Sequence, residues 1–185
     1  MKRSKKICIF GSYKNSGKKE KENIIHLGKL LAENGFTVVN GGFGGTMEDI
    51  SRGAKSAGGK TIGVTYYKSS DTKKQANKYI DEEIRAKSIF ERISVMLEAS
   101  DGFIVLPGGT GTLLELAALL EEINKGLMNP KPIIALGRHW EAALKVLSEE
   151  AVLSESARHF YSAISCRDLV AFADTPEQAI AILKK

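Results

Sequence analysis

The nine residues Pro107-Gly108-Gly109-Thr110-Gly111-Thr112-Leu113-Leu114-Glu115 carry the densest chemistry in this 185-residue chain. Three glycines let a backbone approach an anion closely, and the amides and positive dipole end of a following helix attract negative charge. Thr110 and Thr112 add hydroxyl donors, and Glu115, about one turn into the helix, faces back toward the ligand. The pattern predicts a phosphate cradle with a carboxylate beside it. A plain tight connection with a dipole-complementing acid is the alternative, and the concentration of special residues favours function.

Two further segments offer ligand contacts. Gly11-Ser12-Tyr13-Lys14-Asn15-Ser16-Gly17-Lys18-Lys19 resembles a P-loop, but five residues separate its glycines and Lys19 stands where a magnesium-binding hydroxyl belongs. An ATPase reading is therefore weak, and Ser12 is kept as a ligand contact. Asn40-Gly41-Gly42-Phe43-Gly44-Gly45-Thr46-Met47 places Met47 where a dinucleotide fingerprint needs glycine, and it follows the second strand rather than the first. What remains is a loop whose Gly44 and Gly45 can approach a sugar or base, with tight-turn packing explaining about half of its glycines.

These loops need a frame. Apolar β-prone runs at 7–10, 37–39, 61–64, 103–106 and 133–136 alternate with helical patterns at 21–34, 47–57, 80–100, 112–124 and 140–150. Strict alternation predicts an α/β fold, a three-layer Rossmann-like parallel sheet with helices on both faces. A last strand near 169–172 leads to Thr175-Pro176-Glu177-Gln178, a capped helix start. No repeat or linker breaks the series, so one domain over 1–185 is expected. The polar stretch 66–78 is either a flap over the site or an ordinary surface loop.

Composition narrows the function classes. A hydrophobic content of 43% with 26% charged residues suits a globular protein, and the basic amino end lacks a long apolar segment, so cytoplasmic residence without a membrane contact is expected. The net charge of +5 is concentrated at 1–6, 14–21 and 68–78 with few interleaved aromatics, which argues against nucleic acid as the partner. Cys8 and Cys166 do not make a metal-type spacing, and His26, His139 and His159 pair with no nucleophile. Arg92, on the edge of the helix expected over 80–100, reads by itself as a surface cation.

The segment Pro107 to Glu115 resembles the LOG (Lonely Guy) family signature Pro-Gly-Gly-x-Gly-Thr-x-x-Glu at every fixed position. Ile7-Cys8-Ile9-Phe10-Gly11-Ser12, the second glycine cluster and Gly58-Gly59-Lys60-Thr61-Ile62-Gly63-Val64 follow in the family's order, so the resemblance spans roughly residues 6–150. It implies a homodimer that hydrolyses the N-glycosidic bond of nucleoside 5'-monophosphates, AMP or cytokinin-type nucleotides, without metal or redox cofactor. Carried over, Arg92 and Glu115 are the catalytic pair, and Gly108, Gly109, Gly111 and Thr112 hold the 5'-phosphate. The family's Met-His-x-Arg-Lys segment appears here as Ile89-Phe90-Glu91-Arg92-Ile93, and its Leu-Met-Gly as Thr46-Met47-Glu48. The wider superfamily also contains non-catalytic nucleotide and molybdenum-cofactor carriers, which form the alternative.

Overall fold

The computed structural model describes residues 3–67, 75–129, 131–150 and 165–185. Seven strands, β1 (Lys6–Phe10), β2 (Thr37–Asn40), β3 (Thr61–Tyr66), β4 (Glu82–Ala86), β5 (Gly102–Val105), β6 (Ile133–Leu136) and β7 (Val170–Ala173), form one sheet. Its order is β4-β3-β2-β1-β5-β6-β7, and every neighbouring pair is parallel. The helices are α1 (Lys18–Glu33), α2 (Thr46–Ser56), α3 (Ile89–Ala99), α4 (Thr110–Asn124), α5 (Glu141–Glu150) and α6 (Pro176–Leu183).

Both faces of the sheet are covered, which is why the central strands read as continuous apolar runs. Cys8 and Phe10 of β1 and Phe103 of β5 point into a core shared with Met96 of α3, Leu119 of α4 and Leu144 of α5. Ile7 and Ile9 point the other way, onto Leu27 of α1, Ile50 of α2 and Ile180 of α6. The two-residue period of the strand and the covering helices thus give the predicted three layers. Among the described residues, no helix is long and apolar enough to cross a membrane.

One element differs from expectation. The helix expected over 80–100 is two elements, the edge strand β4 and the shorter α3. Glu82-Glu83-Ile84-Arg85-Ala86 is charged and largely solvated because it has a single neighbour, β3, so it shows no buried strand pattern. Asp81 fixes its start by accepting from the Thr61 N–H at 3.0 Å. Ser88 then caps α3, accepting from the Glu91 N–H at 3.1 Å, while the Glu91 carboxylate accepts from the Lys87 N–H at 2.7 Å. The Ser88-x-x-Glu91 spacing is the local sign of that boundary.

The connection order reverses at β1: β2, β3 and β4 extend to one side, and β5 returns to the other. Open α/β sheets bind ligands in the crevice at such a point, beyond the carboxyl ends of the strands. Here the loops after β1, β2 and β5 meet.

Candidate functional site

Glu115 lies on the buried stripe of α4, with Thr112, Leu116, Leu119 and Ile123, while Leu113 faces solvent. An acid in that stripe has lost most of its water and needs a partner. Arg92, one turn into α3, supplies it: Nη1 donates to Glu115 Oε1 at 2.9 Å, and Nε donates to the Val64 carbonyl at 2.7 Å. Arg92 and Glu115 are 9% and 6% exposed, so the pair is almost dry. Burial pushes the Glu115 carboxyl up to about 7, against the opposing pull of Arg92. At neutral pH this carboxyl therefore populates both its acid and its ionised form.

The pair forms one wall of a cleft of about 810 Å³. Gly108, Gly109, Thr110, Gly111 and Thr112 form another, with Ser12 and Lys14 from the loop after β1, Phe43 from the loop after β2 and Met47 from the first turn of α2. α4 begins at Thr110, two residues earlier than expected, and Gly109 caps it without a side-chain hydrogen bond. The amides of Thr110, Gly111 and Thr112 precede the first intrahelical bond, Leu113 N–H to the Gly109 carbonyl at 2.9 Å, and carry the positive end of the helix dipole.

The expected contacts are not equivalent. The Thr112 hydroxyl donates to the Gly11 carbonyl at 3.0 Å, tying α4 to the turn after β1, so Thr112 can offer an anion its amide rather than its hydroxyl. Gly108 is packed: a Cβ there would collide with the Thr112 side chain. Gly109 and Gly111 differ, since neither has a positive φ and a Cβ at either meets nothing within 4 Å. Nothing in the chain itself requires glycine there.

Ser12 lines the cleft, but its N–H donates to Thr46 Oγ1 at 2.8 Å and its hydroxyl accepts from the Lys14 N–H at 3.1 Å. The Thr46 hydroxyl in turn donates to the Ser12 carbonyl at 3.0 Å. Gly44 and Gly45 are not among the lining residues; the cleft is reached instead by Phe43 of the same loop and by Thr46 and Met47 of the first turn of α2. Gly45 has φ +65° and packs against the Ser12–Tyr13 backbone, so its identity serves the turn. Thr46 and Phe43 are the contributions that sequence reading passed over, Thr46 because only a tertiary contact reveals its work.

From behind, Trp140 Nε1 donates to the Leu106 carbonyl at 2.9 Å, and His139 Nε2 lies 3.0 Å from the Gly108 carbonyl. His26 pairs with Glu177 on the surface at 2.7 Å, and His159 lies outside the described residues. Residues 68–74 of the expected flap also lie outside them. Cys8 and Cys166 are free and buried; burial pushes both thiols up, which makes them core residues rather than nucleophiles.

The profile of the SLOG cluster4 family matches residues 4–164. The chain belongs to this LOG-type family. The Arabidopsis thaliana cytokinin riboside 5'-monophosphate phosphoribohydrolase LOG1 is 31% identical over 173 residues, covering 90% of this chain and 81% of that protein. The molybdenum cofactor binding protein of Rippkaea orientalis superposes with a TM-score of 0.73 at 27% identity, over 98% of this chain and 96% of its own. The molybdenum cofactor carrier protein of Chlamydomonas reinhardtii gives 0.74 at 25% identity, over 98% and 97%. The LOG-type fold of this chain is thus common to phosphoribohydrolases and to cofactor carriers. Of the residues flanking Arg92, Phe90 is 72% exposed and Ile93 is buried in the core, so neither brings a polar group to the cleft.

Proposed function

We propose that this LOG-type protein binds a small phosphorylated ligand with a planar heteroaromatic ring, a nucleoside monophosphate or the pterin phosphate of the molybdenum cofactor, and holds it without turnover. Gly109 and Gly111 carry the reading: their open Cβ positions at an uncapped helix N-terminus suit a phosphate pressed against the backbone. Gly108 and the Thr112 amide shape the same cradle, the Thr110 hydroxyl adds a donor, and Ser12 borders it. Retention rather than cleavage is supported by the end-to-end likeness to cofactor carriers and by apolar Phe90 and Ile93 where the hydrolase motif has histidine and lysine. For the molybdenum cofactor, the cleft lining offers recognition of phosphate and ring, with no cysteine positioned to ligate the metal.

A second reading, N-glycosidic hydrolysis, is favoured by the Arg92–Glu115 pair. Arg92 holds a carboxyl poised near neutrality, which as carboxylate can stabilise an oxocarbenium-like ribosyl centre and as acid or base can move a proton. One experiment separates the two. The protein and Glu115→Ala are titrated with AMP, other nucleoside monophosphates and 6-hydroxymethylpterin phosphate by calorimetry, and each mixture is then resolved by chromatography. Saturable binding with the ligand recovered intact is expected; free base that disappears with Glu115→Ala establishes the hydrolase, and no binding at all overturns both. The homodimer belongs to the same proposal: the apolar groove between α3 and α4, with Phe90 and Leu127 exposed at it, is the surface offered, and sedimentation reads the mass.

A further inference from the structure

Phe43 belongs to neither hydrophobic core, yet both its backbone and its ring are held in place. Its backbone follows Gly42, which has φ +73° and donates its N–H to Asn40 Oδ1 at 2.8 Å. Its own carbonyl accepts from Asn77 Nδ2 at 2.8 Å. The ring and that of Tyr67 are perpendicular, 5.6 Å apart at 88°, and the Arg92 guanidinium carbon stands over it, 5.6 Å from its centroid. Tyr67 is itself fixed, its hydroxyl donating to Glu83 at 3.0 Å. A half-buried phenyl ring is thus immobilised at the wall of a cleft to which it adds apolar surface. Core packing does not account for it, and an anion gains nothing from it.

We propose that Phe43 is the platform on which the ligand's heteroaromatic ring stacks. The inference rests on the functional reading above and deepens it, because it names the ring as the second recognised group. Tyr66, two residues beyond Val64, and Ile89, one turn before Arg92, line the same cleft. They add side-chain surface to the cleft that Phe43, the ion pair and the cradle of α4 also line. Stacking on a phenyl face tolerates different heterocycles, so purine and pterin both fit, and rigid placement of the platform limits the entropy lost on binding.

The test compares ligands with and without a ring. AMP, GMP and 6-hydroxymethylpterin phosphate are set against ribose 5-phosphate, in the native protein, Phe43→Ala, Phe43→Leu and Phe43→Trp, with thermal melts confirming folding. Phe43→Ala and Phe43→Leu are expected to weaken the ring-bearing ligands roughly tenfold or more, leave ribose 5-phosphate within about twofold, and be rescued by Phe43→Trp. Equal loss for ribose 5-phosphate overturns the proposal, since Phe43 would then act by steadying Arg92 alone. Native protein that binds ribose 5-phosphate as tightly as AMP and the pterin also overturns it while leaving the phosphate cradle standing. Native protein that binds no phosphorylated ligand removes the functional reading, and the platform with it.

Discussion

The loops after β2 and β5 are both glycine-rich, sit at the same edge of the sheet and open a helix, yet their glycines answer to different masters. In the β2–α2 loop the protein makes the demands on three of the four glycines, Gly44 being the exception. A Cβ on Gly41 would collide with Arg92 Nη2, Gly42 and Gly45 have positive φ, and Gly45 lies against the Tyr13 backbone. In the β5–α4 loop, Gly109 and Gly111 have ordinary backbone and open space. Glycine content therefore does not mark a binding loop; what sets Gly109 and Gly111 apart is that their own protein does not need them and that they line the cleft, which the equally unconstrained Gly44 does not.

The sharpest way to break this contrast is Gly41→Ala. The new Cβ displaces a guanidinium clamped by Val64 and Glu115, stranding a buried carboxyl, and a loss of about 3 kcal/mol is expected at pH 8. In an Arg92→Leu background the guanidinium is gone and only the flexible Met47 thioether has to shift, so urea titration of the double-mutant cycle should show strong coupling. Near pH 5.5 the loss shrinks, because Glu115 is then protonated. Gly45→Ala should cost about 2 kcal/mol through its positive φ and the Tyr13 backbone, independently of Arg92.

Glu115→Gln acts on the pH dependence. The folded carboxyl is pushed up to about 7 from the usual 4.5, so between those values the folded state binds more protons than the unfolded one. Unfolding free energy must then fall as pH rises from about 4.5 to 7 and level off above, and Glu115→Gln should remove this contribution to the slope. At the small end, Gly111→Ala sits in the first turn of α4 and should leave stability unchanged or raise it by up to about 1 kcal/mol. Ligand affinity should nevertheless drop at least tenfold. A parallel loss of stability, or full retention of binding, would erase the distinction between the two loops.

Much of this arrangement was legible in the residues. The apolar runs of β1, β5 and β6 announced buried parallel strands, and the Gly108 to Thr112 segment announced a glycine-rich turn into a helix start. β4 was not legible as a strand, because an edge position lets charged residues hide its period. Arg92 carried no local sign of burial; only the packing of α3 against α4 brings it to a carboxylate 23 residues away. Phe43 was silent for a similar reason, since its restraints come from Tyr67, Asn77 and Arg92, all distant in sequence.

The strand order has a consequence for how the chain matures. Arg92 comes with the half of the sheet that ends at α3, and Glu115 comes with the half that β5 begins. During synthesis, a chain that has emerged only through α3 has an open edge on its central strand and a guanidinium awaiting its counter-charge. Insertion of β5 beside β1 closes the first deficit, and the α4 that follows it closes the second, so the site is completed only once the chain has crossed to the other half of the sheet.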